Sequence, residues 1–329
     1  MKVLFLSLTI LSFLGPCLSN AWSWERKRPM RQYDYRPEQI DQFRNRQQYL
    51  KQTNSSSRSS HEIAKSDVGL QRPVESKKKG FGYQFGFSSK IYHTNNPLSS
   101  ESGPQKVSAG IWENSISNNF LLGAYDLRGA TFSPVIGLSY TNFNHFGHDV
   151  VKEMDFGSIS LNFAGIFTFG KGWSLRPSLG YTADLSLEDS MSRQYSQVSP
   201  GIALGKSFSI GKAQSFLEWS MNYTFTNTPD QTSKDLMDRF ESGLTWGIDI
   251  PFGDFEFSPF INLALIDYSN QPQSRTDFRG TLGLNLTYSI TDWMALRIYS
   301  TLSSRNSSED VFEFTRLDTG AGATLNARF

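Results

Sequence analysis

The chain is poor in the residues that most enzymes and metal sites are built from. Its 329 residues include one cysteine, Cys17, so a disulfide framework and any thiolate metal site are excluded. Histidine is confined to His61, His93, His145 and His148, which leaves little for acid–base chemistry. There is no run of 18 apolar residues, so no helix of this sequence is long enough to cross a bilayer. Charge of one sign is lacking too, with 32 basic and 31 acidic residues. No glycine-rich phosphate loop leads from a strand into a helix, and neither nucleotide nor nucleic acid is an expected partner.

Aromatic residues, by contrast, make up 14% of the chain, and Phe and Gly each occur 26 times. The chain opens with "MKVLFLSLTILSFLGPCLSNAWSW", a Lys, an apolar core and then small residues. This predicts a signal peptide over 1–21, cut after Ala21. The competing reading, "LGPC" as a lipoprotein box acylated at Cys17, fits poorly with Pro16 beside the scissile bond. Residues 22–79 are polar, with fourteen basic against seven acidic side chains, and lack the apolar content to bury a core. A basic, mostly disordered tail follows, with a possible short helix at 37–51 that starts near Pro37, Glu38 and Asp41 and ends in Arg44, Arg46 and Lys51.

From Gly80 to Phe329 the period is two. About twelve strands are predicted, near 80–93, 114–127, 130–144, 155–169, 173–187, 194–210, 214–227, 239–250, 254–267, 276–290, 292–303 and 312–329. Short joints alternate with long polar ones, as in an antiparallel barrel of the outer membrane. One face of each strand is free of charge, for example Leu217, Trp219, Met221, Tyr223 and Phe225, or Phe255, Phe257, Pro259, Ile261, Leu263 and Leu265. The opposite faces hold Gly, Ser, Thr and Asn with scattered charges. Aromatic side chains gather at strand ends, where they would sit at the two membrane interfaces: Trp173, Phe208, Phe216, Phe252 and Trp293 at short turns, Phe143, Phe225, Phe240 and Phe278 near long loops. The fold class is therefore an all-β, antiparallel up-and-down transmembrane barrel. A soluble all-β protein is the alternative, because periodicity alone does not separate inside from outside.

The last strand runs to the final residue, "GAGATLNARF", with Ala321, Ala323, Leu325, Ala327 and Phe329 on one face. In this the chain resembles bacterial outer-membrane β-barrel proteins as a broad class. The resemblance implies a Gram-negative outer membrane, contact with its lipids, and an assembly signal in Phe329 and Leu325 read by the barrel-assembly machinery. The even strand count puts both termini in the periplasm.

Fold does not choose the function. The reading is a passive channel for small hydrophilic solutes, since twelve strands leave a narrow lumen. The alternative is a structural or surface-interaction barrel without an open pore, and a lipid-modifying hydrolase of the outer membrane comes third. No His-x-Ser pair stands on a strand, so no catalytic residue is assigned. Pore-lining candidates near the short-turn end are Arg176, Glu218, Asp249, Glu256 and Arg297, which either line a constriction or pair with each other; as a lining, the acids would favour cations. In "HFGHDVVKEMD", His145 and His148 would present two imidazoles to a metal if the loop were helical, but Gly147 opposes that, and no cofactor is expected.

Overall fold

The computed structural model describes residues 81–97, 99, 107–147, 151, 154–187, 193–227, 238–268 and 274–329. The predicted signal peptide, the 22–79 tail with its helix, and His148 lie outside the described residues. From Gly82 the alternating pattern folds as strands: β1 (Gly82–Thr94), β2 (Ala109–Leu121), β3 (Tyr125–Leu127), β4 (Ala130–Phe146), β5 (Phe156–Phe169), β6 (Trp173–Ser186), β7 (Arg193–Ile210), β8 (Ala213–Asn227), β9 (Arg239–Phe252), β10 (Phe255–Phe257), β11 (Phe260–Tyr268), β12 (Arg275–Ser289), β13 (Met294–Ser307) and β14 (Phe314–Arg328). The short pieces β3 and β10 continue crossings begun or finished by β2 and β11, because β2 and β3 both pair with β4, and β10 and β11 both lie between β9 and β12. Twelve crossings result. Each bonds antiparallel to the next, and β14 returns to pair with β1, so the barrel is closed.

The two interrupted crossings differ in cause. Pro259 has no N–H for the ladder, yet pairing with β9 and β12 resumes beyond it in the same register. Between β2 and β3 the register slips by one residue around Gly123, whose φ is 125°. Such a slip exchanges the two faces of a strand. It keeps Leu122, Tyr125 and Leu127 on the exposed outer surface, where the continuous strand expected over 114–127 would have turned Asp126 outward. The same crossing also starts five residues earlier than the pattern suggested, at Ala109, which brings Glu113 into the wall.

Tight turns such as Gly211-Lys212 and Gly253-Asp254 close one end, the turn end. The long connections close the other, the loop end. Between them the outward side chains form an exposed apolar belt, including Ile202, Leu204, Leu217, Trp219, Leu244, Trp246, Leu263, Leu282 and Leu284. Three belt tryptophans satisfy their indole N–H within the belt: Trp112 donates to Ser89 Oγ, Trp219 to Ser242 Oγ and Trp246 to Ser215 Oγ, each at 3.1 Å. In lipid no water would do so. Lys206, the charge on this face nearest the turn end, holds its ammonium 4.9 Å above the Trp173 ring and donates to the Lys171 carbonyl, reaching for the rim.

Two aromatics placed by sequence at the membrane interfaces face inward instead. Phe216 is buried over Gly247, and Phe143 stacks on Phe156 with ring centroids 4.6 Å apart. Strand parity decides this: Phe216 shares a face with Glu218, and Phe143 with Thr141 and His145.

Leu282→Arg, in the middle of the belt, should destabilise the barrel in vesicles by about 2–4 kcal/mol in a urea titration. An unchanged midpoint would mean that this face does not meet lipid.

Candidate functional site

The inward residues divide the lumen into two unlike walls. On β4, β5, β6 and β7 they are small and polar: Gly137 and Ser139, Ser160 and Asn162, Ser178 and Gly180, Ser199 and Gly201, all half-buried at mid-depth. On β11, β12 and β13 the inward residues at mid-depth are buried, among them Asn262, Ala264, Thr281, Asn285, Thr301 and Ser303. The packing there comes from aromatic rings lying over glycines. A Cβ at Gly283 would run into the Phe260 ring, and Tyr92 and Tyr299 pack over Gly320, which pairs with both, at 6.0 Å between centroids.

The five pore-lining candidates all sit on inward positions near the turn end. Arg176 and Glu218 come together as an ion pair, Nη2 to Oε1 2.9 Å, with both side chains about one-tenth exposed or less. The bond spans β7, where Ala203 and Gly205 leave room for it. Glu256 and Arg297 flank Thr287 of β12 in register, one on β10 and the other on β13. Glu256 also accepts from Ser258 Oγ at 3.4 Å. Asp249 is half-buried on β9 opposite Gln214 of β8.

Most of the ionic structure lies elsewhere, toward the loop end. Arg275 is held between the rings of Tyr268 and Phe312, 3.8 Å from each centroid, and its Nε lies 3.2 Å from Asp277. Arg305 approaches the same carboxylate at 3.6 Å, and Ser307 Oγ donates to it at 2.6 Å. Arg279 pairs with Glu241 at 2.8 Å, Arg316 with Asp318 at 3.1 Å, and Lys90 with Glu113 at 2.8 Å. Strand alternation alone places Glu241, Asp277, Arg279, Arg316 and Asp318 on the inward face, but Glu113 stands just before the strand expected over 114–127, so its pairing with Lys90 shows only in the structure. Arg275 and Arg305 stand just outside the strands expected over 276–290 and 292–303, and both belong to β12 and β13 in the structure.

His145 is buried at the loop end, and Asp155 Oδ1 accepts its backbone N–H at 2.6 Å and lies 3.1 Å from Nδ1. The carboxylate fixes the ring; among the described residues no group of three side chains is arranged to hold a metal.

A closed antiparallel barrel with an apolar exterior and a polar, ion-paired interior is the inverse of a soluble sandwich. The chain has the fold of an outer-membrane β-barrel. No protein family matches its sequence, and no curated protein is detectably similar. Solved structures similar in fold include an outer membrane channel from Pseudomonas putida F1 at 14% identity, covering 78% of this chain and 100% of that one, TM-score 0.44. The β domain of the Bordetella autotransporter BrkA is similar at 12% identity over 75% and 99% of the two chains, TM-score 0.38. LpxR from Salmonella typhimurium is similar at 12% identity over 72% and 99%, TM-score 0.37. These likenesses concern the fold alone.

In this barrel Glu218→Gln strands the Arg176 guanidinium in the wall and should cost about 3 kcal/mol of stability. Adding Arg176→Met should return much of the loss, since the two sites act as one. Denaturant titrations of the single and double variants check this; additive losses would mean that the two side chains are not coupled.

Proposed function

We propose that the barrel is a passive channel for small hydrophilic solutes across the outer membrane. The observation that carries this reading is the half-buried, still accessible hydroxyl and amide wall at mid-depth: inside a closed barrel, side chains stay accessible only where the lumen is open beside them. The Arg176–Glu218 pair belongs to the wall rather than to a charge ring. Glu256, Arg297 and Asp249 remain the candidates for lining the turn-end mouth. The unequal connections support an orientation with long loops outside and both termini in the periplasm.

A second reading is favoured by the loop end itself. There Ala109, Ile111, Phe156, Asp184, Tyr195, Thr226, Tyr268, Arg275, Arg305 and Phe314 are buried on strands all around the barrel. A barrel packed in this way would be structural or surface-interacting rather than conducting. Planar-bilayer conductance of the refolded chain separates the two: discrete conductance steps support the channel, and a silent bilayer with folded protein in it supports the packed barrel.

We also propose that Phe329 and Leu325 form the signal read by the barrel-assembly machinery. Phe329 is 78% exposed, and its backbone exchanges two hydrogen bonds with Tyr83, so the strand is ordered to its end while its ring stays available. Deleting Phe329 should leave the chain unassembled in cells yet able to refold in detergent. Normal insertion in cells would remove the role.

A further inference from the structure

The two walls differ in charge as well as in packing. Among the described residues, the inward positions of β4, β5 and β7 carry no Asp, Glu, Lys or Arg. Between them, β6 carries Arg176, tied to Glu218, and Asp184, which is fully buried. The surface that water reaches at mid-depth is therefore neutral. Its polar groups are hydroxyls and amides such as Ser139, Ser160, Asn162, Thr182, Ser199 and Asn222, all half-buried. On the opposite wall charged side chains bind one another toward the loop end: Lys90 with Glu113, Arg279 with Glu241, Arg316 with Asp318, and Arg275 and Arg305 on Asp277.

Resting on the channel reading, we propose that the permeating solute is neutral and rich in hydroxyl groups, a sugar or polyol, and that it moves along the β4–β8 wall. The hydroxyls there are coupled in pairs across neighbouring strands, Ser160 with Thr182 at 3.2 Å and Ser199 with Thr224 at 3.1 Å. A hydroxyl can donate once and accept twice, so each pair keeps hydrogen-bonding capacity toward the lumen. A polyol shedding water in the narrow lumen regains its hydrogen bonds from such a wall. An ion of the same size loses more hydration and meets no charge on the mid-depth surface of β4, β5 and β7. Glu218, neutralised by Arg176, then gives no cation preference.

The full chain, refolded into liposomes, tests this by swelling rates in isotonic glucose and in isotonic sodium gluconate, solutes of nearly equal size. Glucose should enter at least threefold faster, and the reversal potential in a salt gradient should lie near zero. Gluconate entering as fast as glucose, or a strong ion selectivity, overturns the neutral-solute assignment while leaving the channel standing. No swelling in either solute overturns both. The path is tested by Ser160→Asp with Ser199→Asp, which should make the channel cation-selective; an unchanged reversal potential in the folded variant overturns the placement along this wall. Ser160→Asn with Ser199→Asn, which keeps the wall neutral, should retain the wild-type glucose to gluconate ratio, and loss of that ratio also counts against the proposal.

Discussion

Hydrocarbon cannot hydrogen-bond to a peptide group, so a chain that crosses a membrane as strands must leave no strand edge unpaired. Everything else in this barrel depends on that closure. It is made where the first and last strands meet: β1 and β14 pair from Gln84 and Arg328 to Thr94 and Asp318. The seam is held beyond both ends of that ladder, by Tyr83 with Phe329 at the turn end and by the Asn95 amide donating to the Leu317 carbonyl at the loop end. Phe329 is thus part of the wall. Its ring also stacks on Tyr83, 5.8 Å between centroids, at the level of the turn-end aromatics.

Closure fixes which side of each strand meets lipid, and the sequence departs from straight alternation where alternation would fail. The slip at Gly123 preserves an apolar exterior at the cost of a broken ladder. Inside, the opposite economy holds: space rather than apolarity is scarce, and glycines supply it. Gly205 lies beneath the Arg176–Glu218 bridge, and Gly320 beneath two tyrosines. Where rings lie over the glycines the wall is packed, and where hydroxyls replace the rings the wall stays partly exposed. That contrast, more than any single residue, divides the lumen into two unlike sides.

The barrel was legible because its strongest signal is local. A period of two, a charge-free face and joints of alternating length are visible without knowing what lies beside what, and they located the crossings to within a few residues. Signals that depend on partners were not legible. Glu113 looks like a loop acid until Lys90 is found opposite it, two strands joined by a long connection. Arg275 looks like a polar end residue until Tyr268 and Phe312 close over it. Phe216 and Phe143 stand at strand ends, as interfacial aromatics do, yet parity turns both inward. The pore-lining candidates share a depth, but depth does not tell a lining residue from a paired one. Arg176 and Glu218 are paired because β7 between them is small there.

The central claim is that the apolar face of each strand is outside, in lipid, and the polar face inside, in water. Single cysteines along β7, introduced after Cys17→Ser, test it directly when labelled with a fluorophore in the vesicle-inserted protein. Labels at Ile202 and Leu204 should be quenched by a quencher attached to lipid acyl chains and spared by a water-soluble one, with labels at Ser199 and Gly201 showing the reverse. Quenching of the opposite period, or no period at all, would contradict the account.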